Sequence, residues 1–364
     1  MKREFWRYFD FWLFGAVLVL CVFGIAMIQS AIAGNAQLAG LPRSQTIYVV
    51  IGLAVVIIMA MIDYHYFASL SRMLYIFTIL FLIVIFIIGE VQFGSARRIE
   101  VGSINIQPSE LAKIVLIIVL SDYFARTQNK PRDLRWIVSG FLLTMGIVVW
   151  ILLQPNLSTS IVIMVIWFSL LWISGLPPKY LLIFAGVGII AAMAAFPFLE
   201  AYQQERIINF FFQDPNARHG NVFNVEQAII TIGSGGWFGE GYGHSTQVQL
   251  RYLKVRHTDF IFSAIAAEFG FVGTVVVMAL LVFVILRCVR IARRAADPFG
   301  SYIAFGFSAL LFFQMAVNIG VNLNLIPVTG LTLPFVSYGG SSLLSLVLGI
   351  GLVESVATRQ KPKD

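Results

Sequence analysis

Uninterrupted apolar stretches recur along the whole chain, each close to the length that crosses a hydrocarbon layer as a helix. Leu13 to Ile28, Thr46 to Ile62, Met73 to Ile88, Leu157 to Ile173 and Thr274 to Leu286 are examples. Others lie near Leu111 to Phe124, Trp136 to Leu153, Tyr180 to Phe198, Tyr302 to Val321 and Ser341 to Val356. Backbone polar groups have no water to bond in hydrocarbon, so such segments must be helical, and their alternation is too weak for a barrel. The sequence therefore predicts an all-α, polytopic integral membrane protein of about ten transmembrane helices. With 59% hydrophobic and only 12% charged residues, the chain must be solvated by lipid.

An even number of spans puts both termini on one side. Most of the 25 Lys and Arg residues fall on that side, among them Lys2, Arg3, Arg7, Arg126, Arg132 and the Arg287 to Arg294 group. The positive-inside bias makes it cytoplasmic, with the chain a multi-pass membrane protein. Basic residues dispersed at helix ends do not form the stripe that nucleic acid requires, so no nucleic-acid partner is expected. Cys21 and Cys288 suit neither a disulfide nor a metal motif, and His65, His219, His244 and His257 lack paired metal spacing. With no repeat, low-complexity tract or soluble domain, residues 1–364 read as one membrane domain.

One extracytoplasmic loop, about 200–258, is far longer than the rest, and long loops in compact proteins are usually functional. Glu200 to Phe212 suits an interfacial helix carrying Arg206. Asp214-Pro-Asn reads as a turn and Asn224 to Ile232 as a short helix. The glycine-rich run Gly233 to Gly243 lets backbone approach a ligand or another helix, and lacks nucleotide-loop spacing.

Charged residues at membrane depth are costly and mark candidate sites. Glu110 and Lys113, in Gln107-Pro-Ser-Glu-Leu-Ala-Lys113, share a helix face; the plain alternative is a helix start with an ion pair that lets Lys113 enter the bilayer. His257-Thr258-Asp259 opens a span, where Asp or Thr is also what an N-cap looks like. Pro327 to Gly330 and Leu333 to Ser342 imply broken backbone that lines a cavity or merely packs. Arg97 and Arg98 lie on the outer side, suited to a diphosphate or to lipid headgroups. Gln154 to Thr159 reads as a tight hairpin between spans.

Together these strings resemble the SEDS family of bacterial cell-shape and division proteins, and its RodA-like branch in particular. The diagnostic ones are Gly94-Ser-Ala-Arg-Arg98, Gln107 to Lys113, Gly233-Ser-Gly-Gly236, Ser245 to Leu250, His257 to Phe262, Glu268-Phe-Gly270, Pro327 to Gly330 and Leu333 to Ser342. The chain departs from the family pattern at Asn156, where an Asp is common, at Arg98 in place of a Trp, in lacking a proline before His257, and in the pair Ala267-Glu268. The resemblance implies a peptidoglycan glycosyltransferase that polymerises lipid II on the outer face of the membrane for cell elongation. It also implies a class B penicillin-binding protein transpeptidase as partner. The alternatives are a lipid II flippase, an FtsW-like division polymerase, or a scaffold for the transpeptidase.

Such chemistry needs a base for a sugar hydroxyl and cationic help for a diphosphate leaving group. Asp259 is the expected catalytic residue. Arg97, Arg98, Glu110, Lys113, Arg206, His257, Thr258, Ser337 and Ser341 are the expected substrate contacts. A divalent cation, magnesium or manganese, held by Asp259 is the further way to serve the diphosphate.

Overall fold

A computed structural model describes residues 6–32, 34–92, 99–101, 104–212, 220–250, 252–253 and 255–360. Arg97, Arg98, His219 and the 214–216 turn lie outside the described residues. The helices are α1 (Phe11–Ala31), α2 (Leu41–Met61), α3 (His65–Gln92), α4 (Pro108–Arg126), α5 (Leu134–Leu153), α6 (Leu157–Ile173) and α7 (Lys179–Ala195). They continue with α8 (Ala201–Phe211), α9 (Gly220–Ser234), α10 (Thr246–Gln249), α11 (Ile261–Arg294), α12 (Pro298–Asn322) and α13 (Gly340–Ala357). Seven helices, α1, α2, α3, α5, α11, α12 and α13, are long and apolar enough to cross a membrane. α6 and α7 are shorter and apolar, and α4 carries four charged residues. These three fall where the sequence predicts the remaining spans.

Among the described residues, the one addition to an all-helical fold is a small hairpin. Strand β1 (Ile99–Val101) pairs antiparallel with β2 (Ile104–Ile106), Glu100 opposite Asn105. Three-residue strands are too short to show an alternating pattern, which is why the sequence does not announce them.

The bundle has a centre and a rim. The apolar windows of α12 and α13 are 67% and 72% buried, against 22% for α3, whose Phe77, Leu80 and Ile87 are exposed as a lipid-facing surface requires. The bundle also has two ends. One holds the chain termini and the starts of α3, α5 and α12; the other holds α8 to α10, the hairpin and the starts of α4 and α11.

α11 is broken at Gly270, whose φ of 66° is open to glycine at little cost. The break frees backbone groups that hydrocarbon cannot satisfy, and the glycine-rich run supplies their partners. Glu240 and Gly241 donate N–H to the carbonyls of Ala267 and Glu268 at 2.9 and 3.0 Å. Phe271 and Val272 donate to those of Gly236 and Trp237 at 2.9 and 3.1 Å. A Cβ on Gly239 would collide with the Glu268 carbonyl, so the approach needs glycine there. The run therefore serves helix packing.

Candidate active site

A cavity of roughly 760 Å³ opens at the loop end, walled by the starts of α4 and α6, by α8, and by the non-helical segment between α12 and α13. Its polar lining includes Glu110, Asn156, Arg206, His257, Thr258, Asp259 and Ser341. The 327–342 segment is not loose packing. Ser337 Oγ donates to the Thr258 carbonyl at 2.7 Å and accepts from the Leu333 N–H at 2.9 Å; the Tyr338 N–H donates to the His257 carbonyl at 2.9 Å. Ser158 Oγ and Arg206 Nη1 donate to the carbonyls of Thr329 and Val328 at 2.5 and 3.3 Å. Broken backbone at this depth is thus bonded to the residues it presents.

Asp259 is half-buried in the cavity wall. The N-cap of α11 is Phe260, which makes no side-chain cap bond. The cap comes instead from α12: Asn322 Oδ1 accepts from the Ser263 N–H at 3.1 Å and from its hydroxyl at 2.6 Å. The N-cap position thus falls on Phe260 rather than on Asp259 or Thr258. Asn318 and Asn322 also donate their amide N–H groups to the Asp259 carbonyl at 3.0 and 2.9 Å, and Asn318 reaches Leu331 at 2.8 Å. Both are fully buried, so the backbone at Asp259 is held from two positions one turn apart. Sequence reasoning missed this clamp. Its signal was two asparagines four apart in an otherwise apolar span, polar groups whose only economical face is inward.

Glu110 lies in the first turn of α4, with its Oε2 2.8 Å from Lys113 Nζ and 3.2 Å from Ser345 Oγ. Lys113 is fully buried behind Glu110 and does not line the cavity, so it reaches the site only through its partner. Direct contact of Lys113 with a diphosphate gives way to a pairing role. Ser337 is corrected in the same way: it is buried and spends its hydroxyl on Leu333 and Thr258. Ser341, in contrast, lines the cavity and accepts the Gln107 N–H at 2.8 Å, fixing the start of α4.

Arg206 reaches the wall from α8, its guanidinium 5.6 Å from the centre of the Tyr202 ring. α8 begins where Gln203 Oε1 accepts the Glu200 N–H at 3.1 Å. Burial, and then the charge of Arg256, hold His257 below the ordinary imidazole range, which favours a neutral ring at pH 7. Among the described residues no three His, Cys, Asp or Glu side chains cluster as a metal site. Glu110 and Asp259 are the acidic side chains of the lining, and Glu110 is engaged by Lys113. Asp259 is then the lining carboxylate that a magnesium-like cation would meet.

The chain matches the cell cycle protein family FtsW/RodA/SpoVE over residues 9–362. It belongs to that family. It is 33% identical to the peptidoglycan glycosyltransferase MrdB of Escherichia coli K12, over 99% of this chain and 97% of that protein. It is 32% identical to the probable peptidoglycan glycosyltransferase FtsW of Aliivibrio salmonicida, over 95% and 88%. Among solved structures it resembles a chain of a peptidoglycan synthase complex described as coordinating polymerization and crosslinking, with a TM-score of 0.82 and 29% identity over 96% and 97%. It also resembles the rod shape determining protein RodA of Thermus thermophilus, with a TM-score of 0.72 and 29% identity over 98% of each chain. The SEDS resemblance read from the motifs is thereby established over the whole length, and four of those motifs line the cavity: Gln107 to Lys113, His257 to Phe262, Pro327 to Gly330 and Leu333 to Ser342.

Proposed function

We propose that the cavity binds lipid II and that Asp259 is the general base of glycan polymerisation. The chain is an enzyme, a glycosyltransferase of peptidoglycan synthesis in the RodA-like branch. In the proposed step the Asp259 carboxylate takes the proton of an acceptor sugar hydroxyl. The oxygen then attacks the anomeric carbon of the donor, the glycosidic bond forms, and the bond to the polyprenyl diphosphate breaks. The Arg206 guanidinium offsets charge gathering on the departing diphosphate. A divalent cation bound by Asp259 and that diphosphate would supply further charge neutralisation.

The observation that carries this reading is the division of labour at the start of α11. Asn322 bonds the first turn of α11 from the neighbouring helix, and Asp259 lines the cavity. We propose further that the loop end faces outward and both termini inward, following the Lys/Arg bias, and that a class B penicillin-binding protein supplies the crosslinking transpeptidase. The test is polymerisation of lipid II by purified protein in detergent, with and without that partner and with chelator. Detergent abolishes sidedness, so glycan formed there by wild type and not by Asp259→Asn supports the base. Substantial product from folded Asp259→Asn protein rejects it and turns attention to Glu110.

A further inference from the structure

α12 presents a line of three amides at intervals of four residues, Gln314, Asn318 and Asn322, which share one helix face. Asn318 and Asn322 spend their donors on the Asp259 and Leu331 carbonyls. Gln314 is different. It lines the cavity, which Asn318 and Asn322 do not, it is 1% exposed, and its Oε1, like the Oδ1 of Asn318, accepts no hydrogen bond among the described residues. It lies one turn from Asn318, roughly 6 Å along the helix axis toward the bundle interior. Asn318 in turn touches Asp259. A buried amide turned to a cavity without a protein partner is a group whose partner comes from outside the fold.

Resting on the reading of the cavity as the substrate site, we infer that Gln314 is a substrate-contacting residue that recognises a polar group of the glycan beside the reacting hydroxyl. The chemistry that fits is a sugar hydroxyl or an acetamido group. An acetamido group offers one N–H and one carbonyl, which a primary amide pairs with its own acceptor and donor. Asp259 and Arg206 then act on the reacting atoms while Gln314 fixes the ring that carries them. A sequence reading passes over the residue because a single Gln in an apolar span looks like a tolerated polar substitution.

The test uses full-length protein and fluorescent lipid II in detergent. Binding is measured on the Asp259→Asn background, so that no turnover intervenes, and KM and kcat on the active enzyme. Gln314→Leu should raise Kd and KM about tenfold with kcat changed less than about twofold, the loss of one hydrogen bond to a buried group. Its melting temperature should hold or rise, because Leu removes an unpaired polar group from an apolar helix. Should Leu lower the melting temperature, Gln314→Met, which keeps the unbranched shape, reads the same affinities. Unchanged Kd and KM in folded protein would overturn the inference and make Gln314 a packing residue. Failure of lipid II to bind the Asp259→Asn protein at all rejects the cavity as the substrate site, a result distinct from binding that Gln314 does not influence.

Discussion

The two ends of the bundle use the same residue types to opposite purposes. At the end with the termini, acids and bases are joined across elements. Asp10 is bonded to Arg287, and its N–H donates to Glu354 at 3.0 Å. Asp63 meets His65 at 2.7 Å and Arg359 at 3.4 Å, and His65 meets Asp297 at 3.0 Å. These contacts tie α1, α11 and α13 together and join the loops before α3 and α12. At the loop end the Glu110–Lys113 pair lies within a single helix, while Asp259 and Arg206 stand in a cavity wall. A charge at membrane depth is therefore a site only when the fold gives it a wall to stand in; elsewhere the same cost is met by cross-linking helices.

The widest separation should come from two aspartates. Asp259→Asn is expected to lower lipid II polymerisation about 100- to 10,000-fold with an unchanged melting temperature, the range a positioned base contributes. Asp10→Asn should do the reverse, lowering thermal stability while each folded molecule keeps its turnover. Loss of turnover in folded Asp10→Asn protein would dissolve the contrast between the ends. Next comes Lys113→Met, which leaves Glu110 without its partner and should cost about 3–5 kcal/mol, read as lower yield and melting temperature. Exchanging the two residues should recover more yield than either single neutralisation without recovering polymerisation. Equal yields for wild type and both single variants would remove the pairing argument.

A smaller effect is expected at the clamp. Asn322→Leu removes the α11 cap, worth about 1 kcal/mol, and loosens the backbone at Asp259. It should lower kcat by up to about a hundredfold while KM stays near wild type, since a misplaced base acts on chemistry more than on binding. A fall in KM-dependent binding alone would place Asn322 outside the clamp role. The smallest effect concerns the two histidines. His257 is held below the ordinary imidazole range, so folding favours its neutral form. That contribution is present above the ordinary imidazole range and is lost as pH falls through it toward the depressed value. Melting temperature should fall as pH drops below the ordinary imidazole range, and less so in His257→Gln. His65→Gln at the other end breaks an exposed contact and should cost at most about 1 kcal/mol.

What the sequence determined by itself was whatever one residue, or one short run, settles alone. The spans follow from the free energy of moving a segment into hydrocarbon, a sum over its own residues. The start of α4 at Pro108 and the helix around Arg206 come from the same local reasoning. The tertiary structure decided everything that depends on a second element. Asp259 could be cap or cavity group until Asn322, sixty-three residues away on α12, bonded the first turn of α11. Lys113 could meet a ligand or Glu110 until packing closed over it. The glycine-rich run could cradle a ligand or a helix until the break at Gly270 supplied the helix. Each side chain carries its own desolvation cost, so that cost is legible from the sequence; the partner that offsets it is chosen by which helices pack together, and that is written only in three dimensions.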